Sequence, residues 1–262
     1  MPFANPLPAS LSPSRLQDFQ SCPRKYQHSA VDRIAQPASY ATLKGIFFHA
    51  VLERLFDLPP EERTIEAARG FVDGAAADTL TPERLAEAGC DDDRVATMHR
   101  EIDQILTTYF SMEDPRTVDA VGVEMKIGEQ IDGTPVYGIL DRLDRLADGT
   151  LTIVDYKTGS VPNRDYDSQT FANAELYAAL CEAGLGERPT QIRLLYVAKG
   201  QELLRTVTEP VVNARRDAAG RAWTRINRYY QEGEFPAKPS RSACRFCAYK
   251  DRCRSAGVDV PA

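Results

Sequence analysis

Hydrophobic and polar positions repeat on two periods along this chain, and the change of period divides it. Between Leu43 and Phe56 the residues Ile46, Phe47, Phe48, Val51, Leu52, Leu55 and Phe56 are apolar almost all round a helix, which predicts a buried helix ended by Pro59-Pro60. Residues 63–112 read as surface helices broken around Thr81-Pro82 and Gly89, with the acidic runs as their solvated face. The period then falls to two. Strands are expected over Val118–Ile127, Val136–Leu146 and Leu151–Tyr156, joined by turns at Asp132-Gly133 and Asp148-Gly149. A helix follows over Ser168–Ala183, stopped by Gly184. A strand over Gln191–Ala198 turns at Lys199-Gly200 into Leu203–Thr208. A last helix covers Val211–Gln231, and Gly233 and Pro236 open a cysteine-rich tail. At the other end, residues 1–13 read as a loose arm and Ser14–Tyr26 as a short helix running into Cys22-Pro23. Helix, three-stranded meander, helix and strand in that order predict an α/β fold, a mixed central sheet flanked by helices.

Composition bounds the class. The chain has 262 residues, 43% hydrophobic and 27% charged, which suits one large domain. Its parts are an N-terminal arm (1–42), a helical part (43–116), a core (117–210), and a C-terminal helix with the cysteine tail (211–262). No apolar run is long enough for a bilayer, and the Pro-rich start lacks a signal-peptide core, so the expected location is cytoplasmic without a membrane partner. The net charge of −6 argues against a general polyanion binder but leaves nucleic acid open. Basic residues are uneven: Lys238, Arg241, Arg245, Lys250, Arg252 and Arg254 crowd the tail.

The chemistry concentrates in Ile153-Val154-Asp155-Tyr156-Lys157-Thr158-Gly159. Asp155 and Lys157 alternate onto one face of an apolar strand, a costly placement unless used. Asp141, on the preceding strand, adds a second carboxylate and by parity shares a face with Tyr137, Ile139 and Leu143. Asp144 points the other way, toward an ion pair with Arg142 or Arg145. Two carboxylates on neighbouring strands can hold a hard cation such as Mg²⁺, and a lysine beside them can orient water or neutralise an oxyanion. This set points to metal-assisted hydrolysis of a phosphodiester. His49 lies on the buried helix after Gly45. A lone histidine there is more often a core residue, but imidazole can join two carboxylates at a metal. Glu124 reads equally as an outer acid or as a cross-strand partner of a basic residue.

Cys244-x-x-Cys247-x₅-Cys253 is a thiolate cluster in a tail with little apolar content. Three cysteines leave a tetrahedral site one ligand short, and Cys22 is the natural fourth. Cys90 and Cys181 have no partner pattern. Spacing alone leaves zinc and an iron–sulfur cluster open.

Gly45-x-x-x-His49, Gly138-x-x-Asp141-Arg142 and Asp155-Tyr156-Lys157-Thr158-Gly159 together resemble the RecB-type branch of the PD-(D/E)XK nucleases, over about residues 10–254. That branch includes nuclease domains of recombinational-repair complexes and single-domain CRISPR-associated nucleases. The resemblance implies a restriction-endonuclease-like core acting as a DNA exonuclease with Mg²⁺ or Mn²⁺. It implies that His49, Asp141, Asp155 and the Tyr156 carbonyl ligate the metal and that Lys157 is the catalytic lysine. A Gln-x-x-x-Tyr motif that positions DNA in the family reads here as Asn173 to Tyr177, with asparagine in place of glutamine. One cysteine before the core and three after it match members with a [4Fe-4S] cluster, held here by Cys22, Cys244, Cys247 and Cys253. Such a cluster would staple the chain ends and bring Arg24 and Arg245 toward DNA phosphates. The implied substrates are single strands or duplex ends, with a helicase or a repair or CRISPR protein as partner. No Gly-x₄-Gly-Lys-Ser/Thr loop occurs in the chain itself. The alternatives are a non-catalytic nucleic-acid-binding module, for which Asn173 is the support, and a redox or zinc-ribbon interaction protein built on the cysteine tail.

Overall fold

In the computed structural model, which describes residues 3–162 and 170–261, the period-two stretches pair into one five-stranded sheet. Its strands are β1 (Asp119–Ile131), β2 (Thr134–Arg145), β3 (Leu151–Tyr156), β4 (Gln191–Tyr196) and β5 (Gln201–Thr206), side by side in that order. All pairs are antiparallel except β3 with β4. A parallel pair needs a crossover, and it contains helix α8 (Ala172–Leu185). The expected mixed sheet is therefore present.

Helices cover both faces. On one side lie α1 (Pro13–Ser21), α8 and α9 (Glu209–Glu232), packed through Leu16, Phe19, Leu176 and Ile226 against Leu143, Ile153 and Ile192 of the sheet. On the other lie α3 (Tyr40–Phe56), α4 (Ile65–Gly70), α5 (Val72–Thr79) and α7 (Asp92–Met112), which meet Val154, Tyr156 and Leu195. The short helices are α2 (Pro23–Tyr26), α6 (Pro82–Glu87), α10 (Arg241–Arg245) and α11 (Lys250–Ser255). Among the described residues, no helix is long and apolar enough to cross a membrane.

Several expectations change. The N-terminal arm is not loose. Leu11 is fully buried and exchanges backbone hydrogen bonds with β2 at Pro135 O and Tyr137 N, while Phe3 stacks on Tyr230 at 5.3 Å. The proline-flanked start looked solvated in sequence because its partners lie more than a hundred residues away. The helix expected over Ser14–Tyr26 breaks at Cys22, which is extended, so α1 and α2 are separate. Strand β1 runs on to Ile131, because Asp132 (φ 49°) and Gly133 (φ 77°) form the two left-handed positions of a tight hairpin turn. Gly184 does not stop α8, which ends at Leu185 with Gly186 as its left-handed cap (φ 70°). Gly184 instead lets β1 approach: a Cβ there would stand 3.1 Å from Glu129 Cγ. The start expected for this helix, Ser168 and Gln169, lies outside the described residues. Helix α7 is more than a surface element, since Met98, Ile102, Ile105, Leu106 and Tyr109 enter the core. On α3, Ile46 departs from the buried pattern at 40% exposure.

Candidate active site

The site forms where the sheet departs from regularity. Between β1 and β2 the register passes from Val123 opposite Arg142 to Met125 opposite Leu140, and Glu124, facing Asp141, takes a left-handed φ of 43°. Strand β2 changes phase at the same place. Val136 and Leu140 point into the layer of α8, and so does Leu143, whereas Arg142 reaches Tyr109 and Tyr156 in the opposite layer. Parity counted along the sequence put Asp141 with Tyr137 and Ile139. The change of phase sets Leu143 apart from the other two: Tyr137 and Ile139 are 41% and 40% exposed, while Leu143 is buried. Local irregularities of this kind re-aim side chains, and here both irregular residues are acids.

Helix α3 delivers His49 to them. Its Nδ1 lies 3.4 Å from Glu124 Oε1 and 3.7 Å from Asp141 Oδ1, and its Nε2 lies 3.2 Å from the Tyr156 carbonyl. Ligand atoms of His49, Glu124 and Asp141 all fall within 4.8 Å of one another. Tyr156 N donates to Asp141 Oδ2 at 2.8 Å, so Tyr156 holds the histidine through its carbonyl and the aspartate through its N–H. Gly45 faces the strand end, where an added Cβ would make ordinary contact with Thr158 Oγ1 at 3.5 Å, so the approach does not require the glycine.

Asp155 and Lys157 emerge together, as their spacing predicts, with Nζ 2.6 Å from Oδ2. Charge crowding is visible in the proton affinities. Burial raises the Asp141 carboxyl and the nearby Asp155 charge raises it further, to about 8, against the pull of His49. Burial disfavours charge on His49, but the bond to Glu124 and the charges of Asp141, Glu124 and Asp155 prevail and hold it at about 9. Burial also opposes the charge on Lys157, and Asp155 overrides it, so the ammonium is held above its ordinary value.

Helix α8 closes one side. Tyr177 OH accepts from Ile139 N at 3.2 Å. Gly138 is required there, since a Cβ would stand 2.5 Å from Tyr177 Cε1. Asn173 donates to Gln17 Oε1 of α1 at 3.4 Å. Neither Arg24 nor Arg245 joins this group. Arg24 donates to the Phe235 carbonyl at 2.7 Å, and Arg245 is exposed beside Phe246.

The chain matches the family model described as the PD-(D/E)XK nuclease superfamily over residues 10–254. It belongs to that superfamily. It is also 29% identical over 182 residues to a subunit of an ATP-dependent helicase/deoxyribonuclease from Streptococcus equi subsp. zooepidemicus (strain H70). That alignment covers 65% of this chain and 16% of the relative. In fold it resembles a crystal structure described as a "Putative exonuclease" from Eubacterium rectale, with a TM-score of 0.58 and 14% identity, covering 97% of this chain and 90% of that one.

Sequence reasoning missed what stands behind Asp155-Tyr156-Lys157. Arg142, expected only as a strand-end partner of Asp144, is fully buried. It forks onto Asp144 at 2.8 and 2.9 Å and onto Glu113 at 2.6 and 3.1 Å, and it also donates to the Tyr109 and Tyr156 hydroxyls. Burial alone would raise the Glu113 carboxyl, but Arg142 holds it below its ordinary value. The clue available in sequence was three charges within Asp141 to Asp144 of a strand with a buried pattern. Glu175, also missed, is buried between Arg205 and Arg215 at 3.4 and 2.6 Å and ties α8 to β5 and α9.

The four singled-out cysteines meet away from this site. Cys22, Cys244, Cys247 and Cys253, all half-buried, line one small cavity with His28 and Tyr249. Lys238 N donates to Cys22 Sγ at 3.3 Å. Burial and then the other three sulfurs push the Cys253 thiol up. Cys90 is half-buried and Cys181 lies in the core of α8.

Proposed function

We propose that this chain is a divalent-metal-dependent deoxyribonuclease that works as an exonuclease on DNA ends or single strands. One observation carries this: His49, Glu124 and Asp141 converge within 4.8 Å beside the Asp155–Lys157 pair. The donor set fits Mg²⁺ or Mn²⁺, with hard carboxylate and carbonyl oxygens and one imidazole. His49 and Asp141 hold protons near neutrality that a cation would displace. His49, Asp141, Asp155 and the Tyr156 carbonyl would hold the ion, with Glu124 fixing the imidazole. Bound there, it supplies Lewis-acid charge and lowers the pKa of water. Lys157, kept protonated by Asp155, donates a hydrogen bond to the reacting phosphate and offsets its developing charge. Tyr156 N holds the Asp141 carboxylate in place, and Tyr177 borders the path of the strand. The Eubacterium rectale protein is described as a "Putative exonuclease", and the streptococcal relative is a subunit of a helicase/deoxyribonuclease. These likenesses support exonuclease action and a helicase partner.

For the cysteine cavity the proposal is a [4Fe-4S] cluster, with zinc as the less favoured occupant. Four thiols from opposite ends of the chain around one cavity fit either. Arg245, on the basic tail, and Asn173 would contact DNA.

The test uses labelled single-stranded and duplex DNA. Cleavage is expected with Mg²⁺ or Mn²⁺ and none in EDTA. Asp155→Ala should abolish it, and Lys157→Ala should lower it by about 10²-fold or more while DNA binding persists. Undiminished cleavage in metal-free buffer, or wild-type rates in both variants, would overturn the reading.

A further inference from the structure

The β1–β2 hairpin extends past the other strands, and its two faces are unlike. Ile127, Ile131, Val136 and Leu140 bury one face against α8 and α9. The other face is open. Lys126 lies directly opposite Ile139 and Gly128 opposite Tyr137, so these four share a face. All four are exposed, Tyr137 at 41% and Ile139 at 40%. The face runs straight into the acids, with Ile139 two residues and Tyr137 four residues before Asp141. Tyr137 is thus about 13 Å along the strand from Asp141.

The Tyr137 ring is held in place. It leans across the hairpin on Gly128, where an added Cβ would stand 3.0 Å from Tyr137 Cδ2. Covering a strand glycine with a cross-strand aromatic accounts for where the ring sits. It does not account for the outer side of the ring being bare next to a bare Ile139. Lys126 makes no ion pair among the described residues. A fixed aromatic, an aliphatic neighbour and an uncommitted lysine beside a phosphodiester site match the chemistry of an unpaired strand, whose bases present open π-faces and whose phosphates seek a cation. A duplex hides its base faces and offers the ring nothing to stack on.

We propose that this face seats a single-stranded DNA segment next to the scissile phosphate. Tyr137 stacks on one base, Ile139 packs against its neighbour, and Lys126 meets a phosphate between them. The proposal rests on the nuclease reading of the acidic cluster and names the form of substrate that site receives.

The experiment uses the full chain with fluorescein-labelled oligothymidylate and a blunt duplex of equal length, binding measured in Ca²⁺ and cleavage in Mg²⁺. Tyr137→Ala and Tyr137→Leu should weaken single-strand binding about fivefold or more, while Tyr137→Phe and Tyr137→Trp stay within about twofold of wild type. Duplex binding should not change in any of them. Leucine still covers Gly128, so Tyr137→Leu decides if the alanine variant unfolds. Lys126→Ala should give a smaller loss that shrinks as salt is added. Wild-type single-strand affinity in Tyr137→Leu, or an equal loss on the duplex, overturns this proposal while leaving the nuclease reading standing if wild type cleaves. A wild-type protein that neither binds nor cleaves either DNA overturns both.

Discussion

Arg142 has no exposed surface, yet it carries a full charge at the centre of the sheet. Its two carboxylates, Glu113 and Asp144, are themselves nearly buried. Removing the guanidinium would leave Asp144 without its ion-pair partner in the core and Glu113 with Arg193 alone, at 3.1 Å, and breaking such a buried pair costs about 3–5 kcal/mol. Arg142→Ala is therefore expected to lower unfolding free energy by about that amount in urea melts, and a loss under about 1 kcal/mol would refute the account. Function should suffer as well, because Arg142 bonds the Tyr156 hydroxyl while the Tyr156 backbone holds Asp141 and His49. The same residues show what could be read from the chain alone. Asp155 and Lys157 sit at the end of a regular strand, so counting by twos placed them together correctly. Glu124 and Asp141 sit where the strands lose their regular alternation, with Glu124 left-handed, although the pairing register is the same on either side. No count along the sequence reveals a change of phase inside a strand, so Glu124 stayed undecided and Asp141 was grouped with Leu143, which faces the other layer.

Among elements, the contact of α8 with β2 is the tightest constraint on the site. Gly138→Ala would drive a methyl to 2.5 Å from the Tyr177 ring. Overpacking of this kind costs about 1–3 kcal/mol, and the ring must leave its bond with Ile139 N. The variant should melt earlier and cleave DNA more slowly. Pairing it with Tyr177→Ala should recover part of the lost stability, and strict additivity in that double-mutant cycle would argue against the clash. Strand and helix identities were legible because each is an apolar run of fitting length next to turn or proline signals, as in Leu151–Tyr156 after Asp148-Gly149 and Tyr40–Phe56 before Pro59-Pro60. Ends were less so. Gly184 has the composition of a stop signal, and only the approach of Glu129 explains a glycine inside the helix. The tight turn at Asp132-Gly133 was readable because two left-handed positions demand such residues.

At the scale of the molecule, the two ends of the chain fold together. Phe3 meets Tyr230 and Phe235, Phe19 meets Tyr229, Arg24 holds the Phe235 carbonyl, and Tyr249 OH donates to the Ile34 carbonyl. The four cysteines lie within this junction. If they hold a cluster as proposed, Cys22→Ser or Cys247→Ser should strip its iron and lower the thermal midpoint by roughly 5 °C or more. Stoichiometric zinc without iron or sulfide, in protein purified without oxygen, would defeat the cluster assignment. The cysteine spacing pointed to this junction, but the aromatic contacts around it were illegible, because each joins residues some two hundred positions apart. That separation also sets a schedule for synthesis. Asn5 must wait for Tyr230, 225 residues later, before its carbonyl finds a donor. At the usual pace of a ribosome this is a delay on the order of ten seconds or more. Throughout it Phe3, Leu7 and Phe19 have no aromatic partners from the distant segment, so this stretch of the newborn chain stays open to the cell's chaperones until α9 emerges.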